Sequence, residues 1–316
     1  MNNEVQQLID EQLAAWEQAR GNYEALTRVE QRRLKVGAVD YLMQFNPARV
    51  VSSGAKVDAE TLSRRPCFLC AANRPEVQRG LDFGEEYTVL LNPFPIFPKH
   101  LTIPAKAHTP QRIAHRMGHM LDLARELSDY TIFYNGPRCG ASAPDHMHFQ
   151  AGSRGLMPIE TQWQAIEADS LEVDGVTIHH LVGDAPRATL VMQSACKEKL
   201  ERLFDRVYRL LPLPQDDDEP MMNLLAWYES ERWTLCIFPR AKHRPSCYEA
   251  EGEERMLISP ASVDLGGVFI LPIGRDFERL TEDRLTEILA EVCLSPREMK
   301  LIMETLRLTL ASSSCL

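Results

Sequence analysis

No stretch of this chain approaches the ~20 consecutive apolar residues that cross a bilayer. The first twenty residues are polar and helical in pattern, without the apolar centre of a secretory leader. Positive charge is also in deficit: 35 Lys and Arg stand against 45 Asp and Glu, a formal net charge of −10. That balance argues against non-specific binding to nucleic acid, although a local basic pocket is compatible with it. Eight Cys in 316 residues, with no leader, do not read as a disulfide framework. Cys139, Cys196, Cys236 and Cys293 are expected as small buried hydrophobes or loop residues. These absences predict a cytoplasmic chain with neither a nucleic-acid nor a membrane partner. What is present is ordinary globular composition, 44% hydrophobic and 25% charged, with length for one large or two domain-sized units.

Chemistry concentrates in Asp145-His146-Met147-His148-Phe149-Gln150 and the run before it, Phe133 to Ser142. In an extended strand alternate residues share a face. His146, His148 and Gln150 then point one way, and Met147 and Phe149 point into an apolar layer. Two imidazoles and an amide on one face are poor core material, because each needs a hydrogen-bond partner if buried. A His-x-His pair alone fits a nucleophile, a metal ligand or a hydrogen-bonded structural pair. The Gly-, Ser- and Pro-containing loop upstream, with Arg138, can bring backbone N–H groups close to an anion. A metal site has no need of such a loop; a nucleotidylated histidine does.

The run Tyr134-Asn135-Gly136, Gly140-Ala141-Ser142 and His146-x-His148-x-Gln150 resembles the histidine-triad superfamily, specifically its nucleotidyltransferase and phosphorylase branch. That branch includes galactose-1-phosphate uridylyltransferase, diadenosine tetraphosphate phosphorylase and GDP-hexose phosphorylase. Hydrolases of the superfamily usually carry a third His where this chain has Gln150, and the substitution marks the transferase branch. The resemblance spans roughly residues 45–152. It implies an α+β fold of two fused histidine-triad-like halves, antiparallel sheets with flanking helices, and an active site in the N-terminal half. The halves are expected over residues 1–158 and 159–316, the second degenerate, since His-x-His-x-Gln does not recur.

The same resemblance implies the roles. His148 is the expected nucleophile toward the α-phosphorus of an NDP-sugar or dinucleoside polyphosphate, with phosphate or a sugar phosphate as acceptor. Ser142, Gln150 and backbone N–H groups, Gly140 among them, would stabilise the transition state. Arg49 in Asn46-Pro47-x-Arg49, Asn92 and Phe94 fall where relatives hold the nucleotide, and Asn135 belongs to the same set. His100 matches a His that supports the phosphate site; the plainer reading is a satisfied strand histidine. Lys242 and Arg244 lie in Pro239-Arg240-Ala241-Lys242-His243-Arg244, a basic turn unusual in an acidic protein, read as a phosphate-binding turn from the second half or as a solvated loop. A histidine-triad hydrolase and a non-catalytic nucleotide-binding protein are the alternatives. A homodimer is compatible with the branch.

Cys67-Phe68-Leu69-Cys70 is a second constellation. Cys-x2-Cys can place two thiolates on one tetrahedral ion and needs two further ligands; a pair of partly buried thiols is the plainer reading. By resemblance to uridylyltransferases the further ligands are His108 and His146, giving a structural Zn2+ that leaves His148 free. No organic cofactor is implied.

Periodicity predicts a helix over 3–34, a turn and short strand over 45–53, strands at 87–92, 100–104, 130–135 and 146–151, and a helix from Thr109 to about Ser128. The second half is predicted to hold a hairpin at 222–238, a strand at 267–271, and helices at 281–289 and 295–310. Residues 211–220 are read as a loop, and His115, His119, His179 and His180 as surface residues.

Overall fold

The computed structural model describes residues 1–50 and 59–313. Helices α1 (Asn2–Ala15) and α2 (Glu17–Leu26) precede the hairpin β1 (Glu30–Val36) and β2 (Val39–Phe45). The predicted helix over 3–34 is therefore three elements. Trp16 breaks it with an extended backbone (φ −110°, ψ 95°), and residues 30–36 pair with β2 through a turn at Gly37, whose φ of +59° suits glycine. Where a turn and strand were expected over 45–53, Pro47–Arg49 form a single 3₁₀ turn, and residues 51–58 lie outside the described residues.

Strands β3 (Gly80–Phe83), β4 (Tyr87–Leu91), β5 (His100–Pro104), β6 (Tyr130–Asn135) and β7 (His148–Ser153) follow, with α3 (Met117–Glu126) between β5 and β6. The second half gives β8 (Asp169–Val173), β9 (Val176–His180), β10 (Leu190–Ser194), α4 (Lys197–Leu210), β11 (Met222–Glu229) and β12 (Arg232–Pro239). β13 (Val268–Leu271), α5 (Glu282–Val292) and α6 (Pro296–Ser313) complete the chain. Ten strands form one sheet in the order β3-β4-β5-β7-β6-β11-β12-β10-β9-β8. Read outward from the centre, the order 6-7-5-4-3 is repeated as 11-12-10-9-8, each set with one helix before its last two strands. The sets join through antiparallel β6 and β11, Asn135 opposite Asn223. β8 to β10 and α4 were absent from the sequence reading.

The register fixes the faces. Gln150 lies opposite Phe133, Asn135 opposite Asn223, and Asn223 opposite Phe238, so these side chains share a face with His148. The other face packs on α3: the Trp233 indole donates to the Leu121 carbonyl at 2.8 Å, and Phe149 meets Tyr134 and Tyr87. The small sheet β1-β2-β13, in which β13 runs parallel to β2, lies over the His148 face. There Arg187 is fully buried and stacks on Tyr41 of β2 and Phe238 of β12. Among the described residues no helix is long and apolar enough to cross a membrane.

Candidate active site

β7 begins at His148, two residues later than periodicity predicts. His146 therefore precedes the strand and is aimed separately from His148. The His148 imidazole is buried, and its Nδ1 lies 2.8 Å from the His146 carbonyl oxygen. A carbonyl only accepts, so the ring proton sits on Nδ1 and the lone pair on Nε2. Burial, the largest influence, pulls the His148 pKa down to about 4, which keeps the ring neutral near pH 7.

The backbone of His148 is clamped by a residue that the sequence reading missed. Gln111 is 1% exposed. Its Nε2 donates to the carbonyls of Asn135 (2.9 Å) and His148 (3.0 Å), and its Oε1 accepts from the His148 N–H (2.7 Å). The amide thus replaces ladder bonds where β6 and β7 part to make room for the loop of residues 136–147. This use of Gln111 delays the helix expected from Thr109, which starts only at Met117. The N–H groups of Ile113 and Ala114 donate to the buried Glu219 carboxylate instead (2.6 and 3.3 Å), and His115 turns the chain at φ 62°.

Gln150 is oriented by His100. The Ile96 N–H donates to His100 Nδ1 (3.1 Å), so the proton is on Nε2, which donates to Gln150 Oε1 (3.1 Å). The Gln150 amide protons are left facing away from His100. Burial, then the nearby Arg49, pulls the His100 pKa down to about 3. His100 is in this sense the satisfied strand histidine, satisfied in a way that sets the neighbouring amide. Phe97 closes the back of this unit against Gly152, where a Cβ would sit 2.3 Å from the ring.

Among the described residues three arginines, Arg49, Arg65 and Arg187, each leave a buried N–H without a partner. Arg49 donates from Nη1 to the Phe94 carbonyl (2.8 Å), and its Nε has none; burial lowers its pKa to about 10. Arg65, also missed from sequence, donates from Nη2 to the Ser142 carbonyl (2.7 Å), and its Nε has none. A buried unpaired guanidinium N–H is costly; Arg65 also faces a carboxylate, its Nη2 lying 3.8 Å from Asp145 Oδ1.

Other expected residues are engaged locally. Asn92 caps its own turn, accepting from the Phe94 N–H (2.9 Å) and donating to Thr102 Oγ1 (2.9 Å). Asn135 joins the halves: its Oδ1 accepts from Asn223 Nδ2 (2.9 Å) and the Ser262 N–H (2.9 Å). Gly140, at φ +94°, passes so close to Ala261 that a Cβ would come within 2.6 Å. Lys242 pairs with Glu291. Arg244 lies over the Tyr248 ring, 4.1 Å from its centroid, and donates from Nε to Ser259 Oγ (3.3 Å). Of the histidines expected at the surface, His180 is buried at 8% exposure in β9.

The ligand atoms of Cys67, Cys70, His108 and His146 all lie within 4.8 Å of one another. His146 Nδ1 is 3.3 Å from Cys67 Sγ and 3.5 Å from Cys70 Sγ, and His108 Nδ1 is 3.1 Å from Cys70 Sγ. Tetrahedral Zn–S and Zn–N bonds separate neighbouring S and N atoms by about 3.5 Å, so the donor set fits zinc. The outer partners fit as well. His146 Nε2 donates to the Ala105 carbonyl (2.8 Å), turning the Nδ1 lone pair toward the thiols, and His108 Nε2 lies 3.6 Å from Asp145 Oδ2.

Comparison with known proteins agrees with this architecture. Residues 8–153 match a domain of unknown function, DUF4922. Residues 160–312 match a domain described as GDPGP1-like, C-terminal. The chain is 23% identical to diadenosine 5',5'''-P1,P4-tetraphosphate phosphorylase 2 of Saccharomyces cerevisiae, over 82% of this chain and 85% of the relative. The crystal structure of yeast Ap4A phosphorylase Apa2 superposes with a TM-score of 0.65 at 19% identity, covering 93% of this chain and 98% of that one. The same enzyme in complex with Ap4A gives 0.57 at 17% identity, covering 89% and 97%.

Proposed function

We propose that this chain, a member of the histidine-triad-like nucleotidyltransferase and phosphorylase superfamily, is a phosphorylase or nucleotidyltransferase that works on nucleotide derivatives through a nucleotidyl group on His148. The observation that carries the reading is the His148 ring itself, with its Nδ1 proton held by the His146 carbonyl and its Nε2 lone pair free. Nε2 attacks the α-phosphorus, an N–P bond forms, and the bond from that phosphorus to the bridging oxygen breaks. An NDP-sugar loses its sugar phosphate in this step, and a dinucleoside polyphosphate loses the remaining nucleoside polyphosphate. An oxygen of the acceptor, inorganic phosphate or a sugar phosphate, then attacks the same phosphorus and releases the imidazole, which splits one displacement into two. The Gln150 amide protons, oriented by His100, Ser142 and the backbone N–H groups of the 136–142 loop meet the charge that develops on the equatorial oxygens. Arg49 and Arg65, each with an unpartnered Nε, neutralise the bound phosphates beside the Asn92-to-Phe94 turn. Lys242 and Arg244 approach from the second half.

Zinc fits Cys67, Cys70, His108 and His146 in a structural role. It would tie the 67–70 loop to the residue whose carbonyl orients His148, and so stabilise the nucleophile's position without touching the reacting phosphorus. The yeast relative is named for cleavage of diadenosine tetraphosphate, and a dinucleoside polyphosphate or an NDP-sugar is the proposed substrate class here. The test is acceptor dependence. With such a substrate, turnover is expected to rise at least tenfold on adding phosphate or a sugar phosphate. Equal hydrolysis with no acceptor present would assign the protein to the hydrolases.

A further inference from the structure

We infer that Glu219, a buried carboxylate of the second half, is a positioning residue for the His148 nucleophile and acts on it through Gln111. The inference rests on the function proposed above and extends it to the half that holds no nucleophile. Glu219 closes the run Asp216-Asp217-Asp218-Glu219 in the loop between α4 and β11. The last three acids of the run each reach the first half. Asp217 accepts from Arg138 Nη1 (3.1 Å), and Asp218 pairs with Arg112. Both pairs are at the surface, where an ion pair contributes little. Glu219 differs. It is 3% exposed, and its carboxylate accepts from the N–H groups of Ile113 (2.6 Å) and Ala114 (3.3 Å) and from the Tyr134 hydroxyl. Ile113 and Tyr134 are themselves fully buried, so the carboxylate rather than water satisfies these donors.

What the carboxylate holds is the arm that clamps the nucleophile. Residues 108–113 form neither helix nor strand, so no ladder of their own places them. Bonds to neighbouring segments do. Before Gln111 the Thr109 carbonyl accepts from the Met147 N–H (2.6 Å), and the Gln111 N–H donates to the Pro144 carbonyl (3.1 Å). Two residues after Gln111, the Glu219 carboxylate is the next anchor. Between them the Gln111 amide makes its three bonds to Asn135 and His148. Tyr134 adjoins Asn135 in β6, so one carboxylate fixes both the segment that carries the amide and the strand that the amide grips. A shift of Gln111 moves the His148 N–H and carbonyl, and with them a ring that must meet phosphorus in line. Misplacement by about 1 Å can cost a reaction about 10²-fold. The role is geometric: the carboxylate makes no bond to the imidazole and acts through where its oxygens stand.

Two conservative variants separate position from charge. Glu219→Asp keeps the charge and shortens the arm; kcat for nucleotidyl transfer is expected to fall about tenfold or more, with KM changed less than about threefold. Glu219→Gln loses the charge but keeps an acceptor oxygen for both N–H groups, and is expected to retain kcat within about threefold. Because Glu219 acts through Gln111, the single variant Gln111→Ala and the double variant Gln111→Ala with Glu219→Asp should be equally slow within about twofold. Leu285→Ala, in the buried face of α5, is a destabilised control whose kcat should stay within about twofold. A second arm needs no chemistry. In substrate-free protein, amide hydrogen exchange at His148 relative to the amides of β10 should rise about tenfold in Glu219→Asp and be unchanged in Leu285→Ala. The reverse order of the Asp and Gln variants, additive losses in the double variant, or an unchanged exchange ratio in Glu219→Asp would overturn the role. Wild-type protein that transfers no nucleotidyl group would refute the proposed function, but the exchange arm would still decide the role of Glu219, so the two failures are distinct.

Discussion

Strands β3 to β7 and strands β8 to β12 are laid out in the same order, yet the proposed chemistry belongs to one set. On the face that carries His148 and Gln150 in β7, the matching face of β12 presents Arg232, Thr234, Cys236 and Phe238. The larger difference is in the connections. β6 and β7 are joined by residues 136–147, which hold the Gly/Ser loop, Asp145 and His146. β11 and β12 are joined through Ser230 and Glu231, both at positive φ (48° and 60°), as a tight type I′ hairpin requires. A sheet needs only apolar alternation and a closed ladder, and both halves satisfy that need. A nucleophile needs a loop that can arrive beside it. Because β6 and β11 are antiparallel, the second half instead brings the end of β12, with its basic turn, alongside the loop of the first.

The largest expected effect tests whether the first half depends on something that the second lacks. Purified protein is expected to carry about one zinc per chain. Cys67→Ser should release it and lower stability by on the order of 5 kcal/mol or more, since a structural metal contributes its binding energy to folding. Metal analysis together with thermal unfolding checks this. Metal-free protein whose Cys67 and Cys70 react freely with thiol reagents would remove the zinc but leave the argument for His148 intact.

Acid comes next. His100 is buried and neutral, with a pKa of about 3 against about 6.5 in an unfolded chain. The unfolded state therefore binds the extra proton between these values. The stability that His100 contributes is complete above pH 6.5 and is lost as pH falls toward 3, up to about 5 kcal/mol at 1.36 kcal/mol per pH unit. Denaturant midpoints across pH 3 to 7 should fall along this limb, and His100→Gln should flatten it. A wild-type midpoint that stays constant down to pH 4 would contradict the neutral, buried assignment.

The smallest effects sharpen the contrast between the halves. Gln150→Ala should lower kcat by about 10²- to 10³-fold, the usual loss on removing one preorganised donor. Thr234→Ala, on the matching face of β12, removes the acceptor of a 2.9 Å bond from Gln193 Nε2. It should cost about 1 kcal/mol of stability and leave kcat within about twofold. A comparable loss of kcat in the two variants would mean that the halves are not divided as argued.

What was legible follows the same division. β4 to β7 could be read because short runs of strand-forming residues bounded by turns mark them, β4 and β6 being buried almost throughout, and Cys67, Cys70, His108 and His146 could be grouped because resemblance supplied their partners; the fold brings their ligand atoms together. Gln111, Glu219, Asn223 and Ser262 carried no motif. Each is a lone polar residue whose meaning lies in a distant partner, as in the Ser262 N–H bond to Asn135, 127 positions away. Arg65 likewise carries no motif of its own, and its bond to the Ser142 carbonyl spans 77 positions. The helix expected over 3–34 is broken at Trp16 and ends at Leu26, and residues from Glu30 on pair as a strand instead.

The proposed mechanism puts the nucleotidyl group on His148 Nε2. The most direct measurement is to incubate the protein with substrate labelled at the α-phosphorus, quench it, and map acid-labile, base-stable label by peptide analysis. The expected result is label on His148 Nε2 in the wild type, discharged by phosphate, and none in a folded His148→Ala protein. Label on another residue, or near-normal turnover in His148→Ala, would contradict the account.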